Sequence, residues 1–130
     1  MNIQKRTLIH SKSGEFLKKF NLIANKKSDS LVKCIDNLDT FLTILYFEKY
    51  PFIYVDLRFN KFDKVLSYIK GGRNKQSEVY FVFSGEKYRT VKRKEINLPK
   101  KFSLWYYDGK NVFTEEGEQI FLSKNYKREK

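Results

Sequence analysis

Three short apolar runs separated by turn residues occupy the middle of the chain, and this pattern restricts it to folds that contain a compact sheet. The runs cover Leu31–Ile35, Thr40–Phe47 and Phe52–Arg58, which are lengths typical of strands. Residues 36–39 form a predicted turn, and Lys49-Tyr50-Pro51 precedes the third run. Because both connections are short, we expect an antiparallel meander. The second run is almost continuously apolar, which predicts a central strand covered on both faces.

Helical patterns flank these runs on both sides. Apolar residues recur at helical spacing over Ser13–Asn25, and Glu15 stands in the first turn, where the helix dipole favours an acid. A second helix is predicted over Lys61–Lys70, because Asn60 is a good N-cap and Gly71 a good stop. Its expected buried face consists of Phe62, Val65, Leu66 and Ile69.

The second half of the chain predicts one further strand and a hairpin. Glu78–Ser84 is a strand-like run rich in aromatic and β-branched residues. Phe102–Tyr107 and Val112–Phe113 flank the turn sequence Asp108–Asn111, which predicts a β-hairpin whose aromatic residues anchor it in the core.

The order of these elements predicts an α+β or α/β domain. It has a mixed β-sheet with an α-β-β-β-α-β core flanked by two helices, plus a C-terminal hairpin. A chain of 130 residues is long enough for one domain with its own core. We expect residues 13–84 to form that core, residues 85–123 to form a basic loop and the hairpin, and residues 124–130 to fray.

Composition excludes several classes of site and location. Cys34 is the single cysteine, which excludes an internal disulfide and fits a reducing cytoplasm; we expect it as a small core residue. His10 is the single histidine, which excludes metal sites with several His ligands, and we expect it at the surface. No apolar stretch has the length of a membrane span or of a signal peptide, so we expect a cytoplasmic protein without a membrane partner.

The net charge of +12 is unevenly distributed along the chain. Residues 1–33 carry 8 basic and 2 acidic side chains, and residues 70–101 carry 10 and 3. Residues 34–69 carry 4 basic and 5 acidic side chains, and residues 102–130 carry 5 of each. Strongly basic segments attract polyanions through phosphate contacts and counterion release, so the expected partner is DNA or RNA.

One basic block is the main candidate for phosphate contact. Residues 87–101 contain seven Lys or Arg against one Glu, and further cations precede them. The alternatives are a solvated loop without a partner, or a patch that docks an acidic protein surface. The predicted nucleic-acid-binding residues are Lys70, Arg73, Lys75, Lys87, Arg89, Lys92, Arg93, Lys94, Lys100 and Lys101.

Carboxylates within the central apolar runs form a second candidate site. Successive strand residues alternate between faces, so Asp56 and Arg58 are expected to project together from the third run. With Asp39 on a neighbouring strand, they would hold Mg²⁺ and a scissile phosphate, since Mg²⁺ prefers one or two carboxylates plus phosphate oxygens and water. The alternative is a plain ion pair between Asp56 and Arg58, with Asp39 as a turn residue.

The α-β-β-β-α-β order and these acids resemble the core of the PD-(D/E)XK nuclease superfamily, which includes restriction endonucleases. The resemblance implies that Asp39 is the acid at the start of the second core strand. It implies that Asp56-Leu57-Arg58 occupies the acid-x-Lys position and that Glu15 is the glutamate of the first helix. Two positions depart from the family pattern, because Leu38 replaces its proline and Arg58 replaces its lysine. Lys61 or Lys64 would have to supply the missing amine.

These observations predict a small basic nucleic-acid-binding protein with a nuclease-like core and a degenerate catalytic motif. Such proteins often belong to phages, viruses or mobile elements, which would place it in the cytoplasm or on the nucleoid of a host cell. The first alternative is an active Mg²⁺-dependent nuclease in which Asp39, Asp56, Arg58 and Glu15 act. The second is a protein-binding inhibitor whose basic face docks on a host enzyme that processes nucleic acid.

Overall fold

Seven strands form one mixed sheet in the computed structural model, which describes residues 6–28, 31–59, 62–84 and 96–120. Across the sheet the order is β2-β1-β3-β4-β5-β6-β7. The first five strands in that order are parallel, and β6 and β7 are antiparallel. The strands are β1 (Arg6–His10), β2 (Leu31–Ile35), β3 (Phe52–Asp56), β4 (Glu78–Ser84), β5 (Ser103–Tyr107), β6 (Val112–Thr114) and β7 (Gln119–Ile120).

Three helices cover the two faces of the sheet in the described part of the chain. Helix α1 (Gly14–Ser28) packs on one face through Phe16, Phe20 and Ile23. Helices α2 (Leu38–Phe47) and α3 (Phe62–Gly71) pack together on the other face. Strand order 2-1-3-4-5 with helices on both faces is one of the two common doubly wound arrangements. No helix among the described residues is both long and apolar enough to cross a bilayer.

The mixed α/β class and the C-terminal hairpin are confirmed. Helix α1 extends the predicted 13–25 helix to residue 28, and the predicted helix over 61–70 corresponds to α3, with Val65, Leu66 and Ile69 buried. The strands over 31–35 and 78–84 are present with the predicted bounds. At the hairpin turn, the Asp108 carboxylate accepts hydrogen bonds from the backbone N–H groups of Lys110 and Asn111.

The predicted strand over Thr40–Phe47 is wrong, because this segment is helix α2. Asn37 caps the helix by accepting a hydrogen bond from the Thr40 N–H at 2.9 Å. The buried positions recur with the period of a helix, not that of a strand. They are Phe41, Leu42, Ile44 and Leu45, whereas Thr40, Thr43, Tyr46 and Phe47 are exposed.

The predicted antiparallel meander is also wrong, and α2 is the reason. A helix between β2 and β3 returns the chain to the starting edge of the sheet, so the two strands run in the same direction. Both pair in parallel with β1, which has no counterpart in the predicted order of elements. Asp39 consequently lies in the first turn of α2 and does not begin a strand.

Two single residues occupy unexpected environments. His10, expected at the surface, is fully buried at the end of β1 and stacks on the Phe41 ring at 4.7 Å. Cys34, expected in the core, is exposed, because β2 is the edge strand of the sheet.

The pattern of buried and exposed residues along α2 generates a stability prediction. Leu45→Ala should lower the free energy of unfolding by about 2–5 kcal/mol, because Leu45 is fully buried against the sheet. Thr43→Ala is the matched control, and it should change that free energy by no more than about 0.5 kcal/mol. A strand would place residues 43 and 45 on the same face, so equal losses in urea unfolding would contradict the helix.

Candidate nucleic-acid interface

Three loops meet at the edge of the sheet where the parallel strands begin, called here the amino edge. Residues 48–51 connect α2 to β3, and residues 72–77 connect α3 to β4. Residues 96–102 precede β5. Because β3, β4 and β5 are parallel neighbours, their first residues lie side by side and bring these loops together.

Asn74 joins the first two loops through its fully buried side chain. Its Nδ2 donates hydrogen bonds to the carbonyl oxygens of Leu45 at 2.6 Å and Glu48 at 2.8 Å. Its Oδ1 accepts the backbone N–H of Tyr50 at 2.7 Å. Ser77 adds a hydrogen bond from its Oγ to the Tyr50 carbonyl oxygen at 2.6 Å. Asn74 thereby satisfies carbonyl groups that the end of α2 leaves without helical partners.

Further hydrogen bonds fix the other contacts at the amino edge. The Lys101 ammonium donates to the Lys75 carbonyl oxygen at 3.2 Å, which holds the loop before β5 against the loop before β4. The Glu78 N–H donates to the Pro51 carbonyl oxygen at 2.8 Å, which joins the loops before β3 and β4. Segments that are far apart in sequence therefore form one surface.

That surface is strongly basic. Its two acidic side chains among the described residues already have partners. Glu48 accepts hydrogen bonds from Arg6 at 3.4 Å and from the Tyr50 hydroxyl at 3.1 Å, and Glu78 accepts the Tyr80 hydroxyl at 2.6 Å. In the part of the chain that the structure describes, six cations at this edge are exposed to solvent, and we call them the amino-edge cations. They are Lys49, Lys70, Arg73, Lys75, Lys100 and Lys101.

Two exposed aromatic rings border these cations at the end of α2. Phe47 is 63% exposed and Tyr46 is 39% exposed, and their rings meet edge to face at 5.0 Å. The Tyr46 ring also contacts Tyr68 of α3 at 5.9 Å. A Cβ atom on Gly72 would lie 2.7 Å from the Tyr46 carbonyl oxygen, so only glycine permits this approach of the loop. Arg73 therefore directly follows a residue that packs against the Tyr46 backbone.

Half of the predicted nucleic-acid-binding residues are described by the structure, and all of these lie at the amino edge. They are Lys70, Arg73, Lys75, Lys100 and Lys101. The other five, Lys87, Arg89, Lys92, Arg93 and Lys94, lie outside the described residues. Tyr46 and Phe47 are absent from the predicted site, because the apolar run that contains them is predicted as a strand. Lys49 is also absent from it, because it lies outside the basic segment over 70–101.

The predicted catalytic residues lie at the opposite, carboxyl edge of the sheet. Asp56 ends β3 with its side chain fully buried. Its carboxylate accepts hydrogen bonds from the hydroxyls of Ser11 at 2.7 Å and Ser84 at 2.9 Å, which follow β1 and end β4. It also accepts the Arg58 backbone N–H at 3.0 Å and pairs with the Arg58 guanidinium at 3.4 Å. The carboxylate thus connects the carboxyl ends of β1, β3 and β4 through hydrogen bonds.

The remaining predicted acids are both exposed, in the first turns of different helices. Asp39 begins α2, and Glu15 begins α1. The expectation that Asp39 and Asp56 stand on neighbouring strands is wrong, because Asp39 lies in a helix. Within the residues that the structure describes, no group of three or more His, Cys, Asp or Glu side chains has an arrangement able to hold a metal ion. Whether Asp39 and Asp56 recruit Mg²⁺ together stays a prediction.

Burial of His10 beside this network generates a pH prediction. Burial lowers the pKa of His10 below its ordinary value of 6.5, and Lys12 adds to that effect, while Asp56 and Asp36 oppose it. The unfolded chain therefore binds a proton at a higher pH than the folded protein does. As a result, the free energy of unfolding should fall as the pH drops below 6.5.

The measurement is urea unfolding at about pH 7.5 and about pH 5.5, a window in which histidine titrates and ordinary carboxylates do not. His10→Gln is the comparison, and its stability should change less over the same window, because His10 is the only histidine. Equal slopes in the two proteins would assign the pH dependence to another group.

Asn74 generates a second prediction. Asn74→Ala should lower the free energy of unfolding by about 2–5 kcal/mol, because it leaves several buried backbone groups without hydrogen bonds. Asn25→Ala, at an exposed position of α1, should change it by no more than about 0.5 kcal/mol. A loss below about 1 kcal/mol for Asn74→Ala would contradict its role in holding the amino edge.

Comparison with known proteins finds no matching family, curated protein or solved structure for this chain. Its function must therefore be inferred from the chemistry of its own surface.

Proposed function

We propose that the protein binds nucleic acid through the amino edge of its sheet. The observation that carries the proposal is the convergence of the amino-edge cations from separate loops. The Asn74 side chain and the bond from Lys101 to Lys75 hold those loops together. Scattered lysines are ordinary on a basic protein, but a contiguous group on a fixed frame creates a local positive potential.

A polyanion is the ligand that this surface suits. Each cation that contacts a phosphate releases condensed counterions, so affinity accumulates over a group of Lys and Arg without any base-specific contact. Arg73 adds a planar guanidinium suited to bidentate phosphate contact. The basic block of residues 87–101 ends in Lys100 and Lys101, so its last members belong to this surface.

An acidic protein surface would also be attracted to the amino edge, and the nuclease alternative would require cleavage as well as binding. The two are distinguished by the same measurements. Binding that needs a protein partner and is absent with oligonucleotides would contradict the proposal. Cleavage in the presence of Mg²⁺, lost in Asp39→Ala while binding remains, would support the nuclease.

The proposal predicts which charges matter. Replacing Arg73, Lys75 and Lys100 together with Ala should weaken oligonucleotide binding by roughly tenfold or more. It should also reduce the slope of log affinity against log salt concentration by about 2–3. The measurement is fluorescence anisotropy of a labelled oligonucleotide at several salt concentrations.

The matched control removes the same charge elsewhere. Lys12, Lys18 and Lys110 are exposed residues of the carboxyl edge, α1 and the hairpin turn. Their triple replacement with Ala should leave the salt slope nearly unchanged. Equal effects of the two triples would show that net charge alone, and not the amino edge, governs binding. A third triple at Lys92, Arg93 and Lys94 measures the contribution of the rest of the basic block.

A further inference from the structure

The exposed ring pair at the end of α2 narrows the class of ligand further than the cations do. Tyr46 and Phe47 are the exposed aromatic residues in the part of the chain that the structure describes. The other large exposed apolar residues there, Leu22 and Leu31, belong to α1 and to the edge strand β2. Lys49 follows shortly after Phe47 in the chain, and Arg73 follows Gly72, which approaches the Tyr46 backbone, so apolar and positive residues occur on the same part of the amino edge.

The backbone that carries the rings is fixed before any ligand arrives, and the Tyr46 ring contacts both Phe47 and Tyr68. The Glu48 N–H caps the last turn of α2 by donating to the Ile44 carbonyl oxygen at 2.8 Å. Asn74 binds the Leu45 and Glu48 carbonyl oxygens on either side of the rings. Gly72 packs against the backbone of Tyr46. A preformed ring pair loses little conformational entropy when a flat group stacks on it.

We infer that the ligand is a single-stranded nucleic acid, with a base stacked on Phe47 and the flanking phosphates on Lys49 and Arg73. This inference rests on the proposed function. Every base has a π-face, and stacking on an exposed aromatic side chain beside cations is the usual mode of binding single strands without sequence preference. In a duplex the base faces are covered by their neighbours, so a ring on the protein surface has no face to contact except at an end.

The charge around the rings disfavours two other occupants, an apolar protein surface and a second copy of this chain. An apolar protein surface, or a second copy of this chain, would meet the same six cations without compensating them. Two copies that met through this edge would bring like charges together. Single-stranded nucleic acid supplies both the flat apolar group and the negative charge.

The test compares Phe47→Ala with Phe47→Trp on three probes of equal length. The probes are a single-stranded oligonucleotide, an abasic oligonucleotide with the same phosphates, and a duplex closed at both ends by abasic loops. Phe47→Ala should weaken single-strand binding roughly 5- to 100-fold and leave abasic and duplex binding unchanged. Phe47→Trp should retain single-strand affinity, and its added indole fluorescence should be quenched on stacking. Leu22→Ala controls for the loss of an exposed apolar side chain.

The outcomes test the inference and the proposed function separately. Unchanged single-strand affinity of Phe47→Ala, with weakened binding by the Arg73, Lys75 and Lys100 triple, would overturn the inference and leave the proposed function standing. Equal loss on all three probes would overturn base stacking. No loss in the cation triple would overturn the proposed function itself. Conversion of a dimer to a monomer by Phe47→Ala, with single-strand binding unchanged, would assign the rings to a contact between copies.

Discussion

The buried amide of Asn74 is the interaction on which the amino edge depends. Its nitrogen binds two carbonyl oxygens at the end of α2, and its oxygen binds the N–H that precedes β3. A buried amide with both ends satisfied stabilises one arrangement of the chain, because any other arrangement leaves polar groups buried without partners. It fixes the loop before β4 against the end of α2. Through that loop it sets the positions of Arg73 and Lys75.

The two edges of the sheet use polar residues in opposite ways. At the carboxyl edge, where open α/β sheets usually bind their ligands, Asp56 is fully buried and bonds to Ser11, Ser84 and Arg58. Its carboxylate serves to hold strand ends together. At the amino edge, the acids are engaged in local hydrogen bonds and the cations face solvent. The distribution of exposed charge therefore favours the amino edge as the ligand surface of this protein.

Local patterns allowed the sequence to predict α1, α3, β4 and the hairpin, since each has a clear period or a cap. The prediction for residues 40–47 is wrong because Tyr46 and Phe47 are apolar but exposed. Their apolar character hides the helical period in the sequence. The same two residues are the candidate stacking platform, so the wrong prediction and the proposed function have one cause, the exposure of these two rings. The contact of Asn74 with Leu45 and the contact of Lys101 with Lys75 link residues 29 and 26 positions apart. No local sequence pattern predicts such long-range pairings, so the amino edge cannot be predicted from the sequence.

If the proposed function holds, position and rigidity together explain how a small domain would bind a flexible strand. A single strand loses conformational freedom when it binds, and a protein surface that also had to become ordered would add to that cost. Here Gly72 and Asn74 remove that second cost by fixing the end of α2 and the loop after α3 against each other. In the proposed complex, the amino-edge cations would then contact the phosphates while a base stacks on Phe47. Because the groups that fix this surface also hold the fold, the proposed affinity and the stability of the domain would depend on the same few contacts.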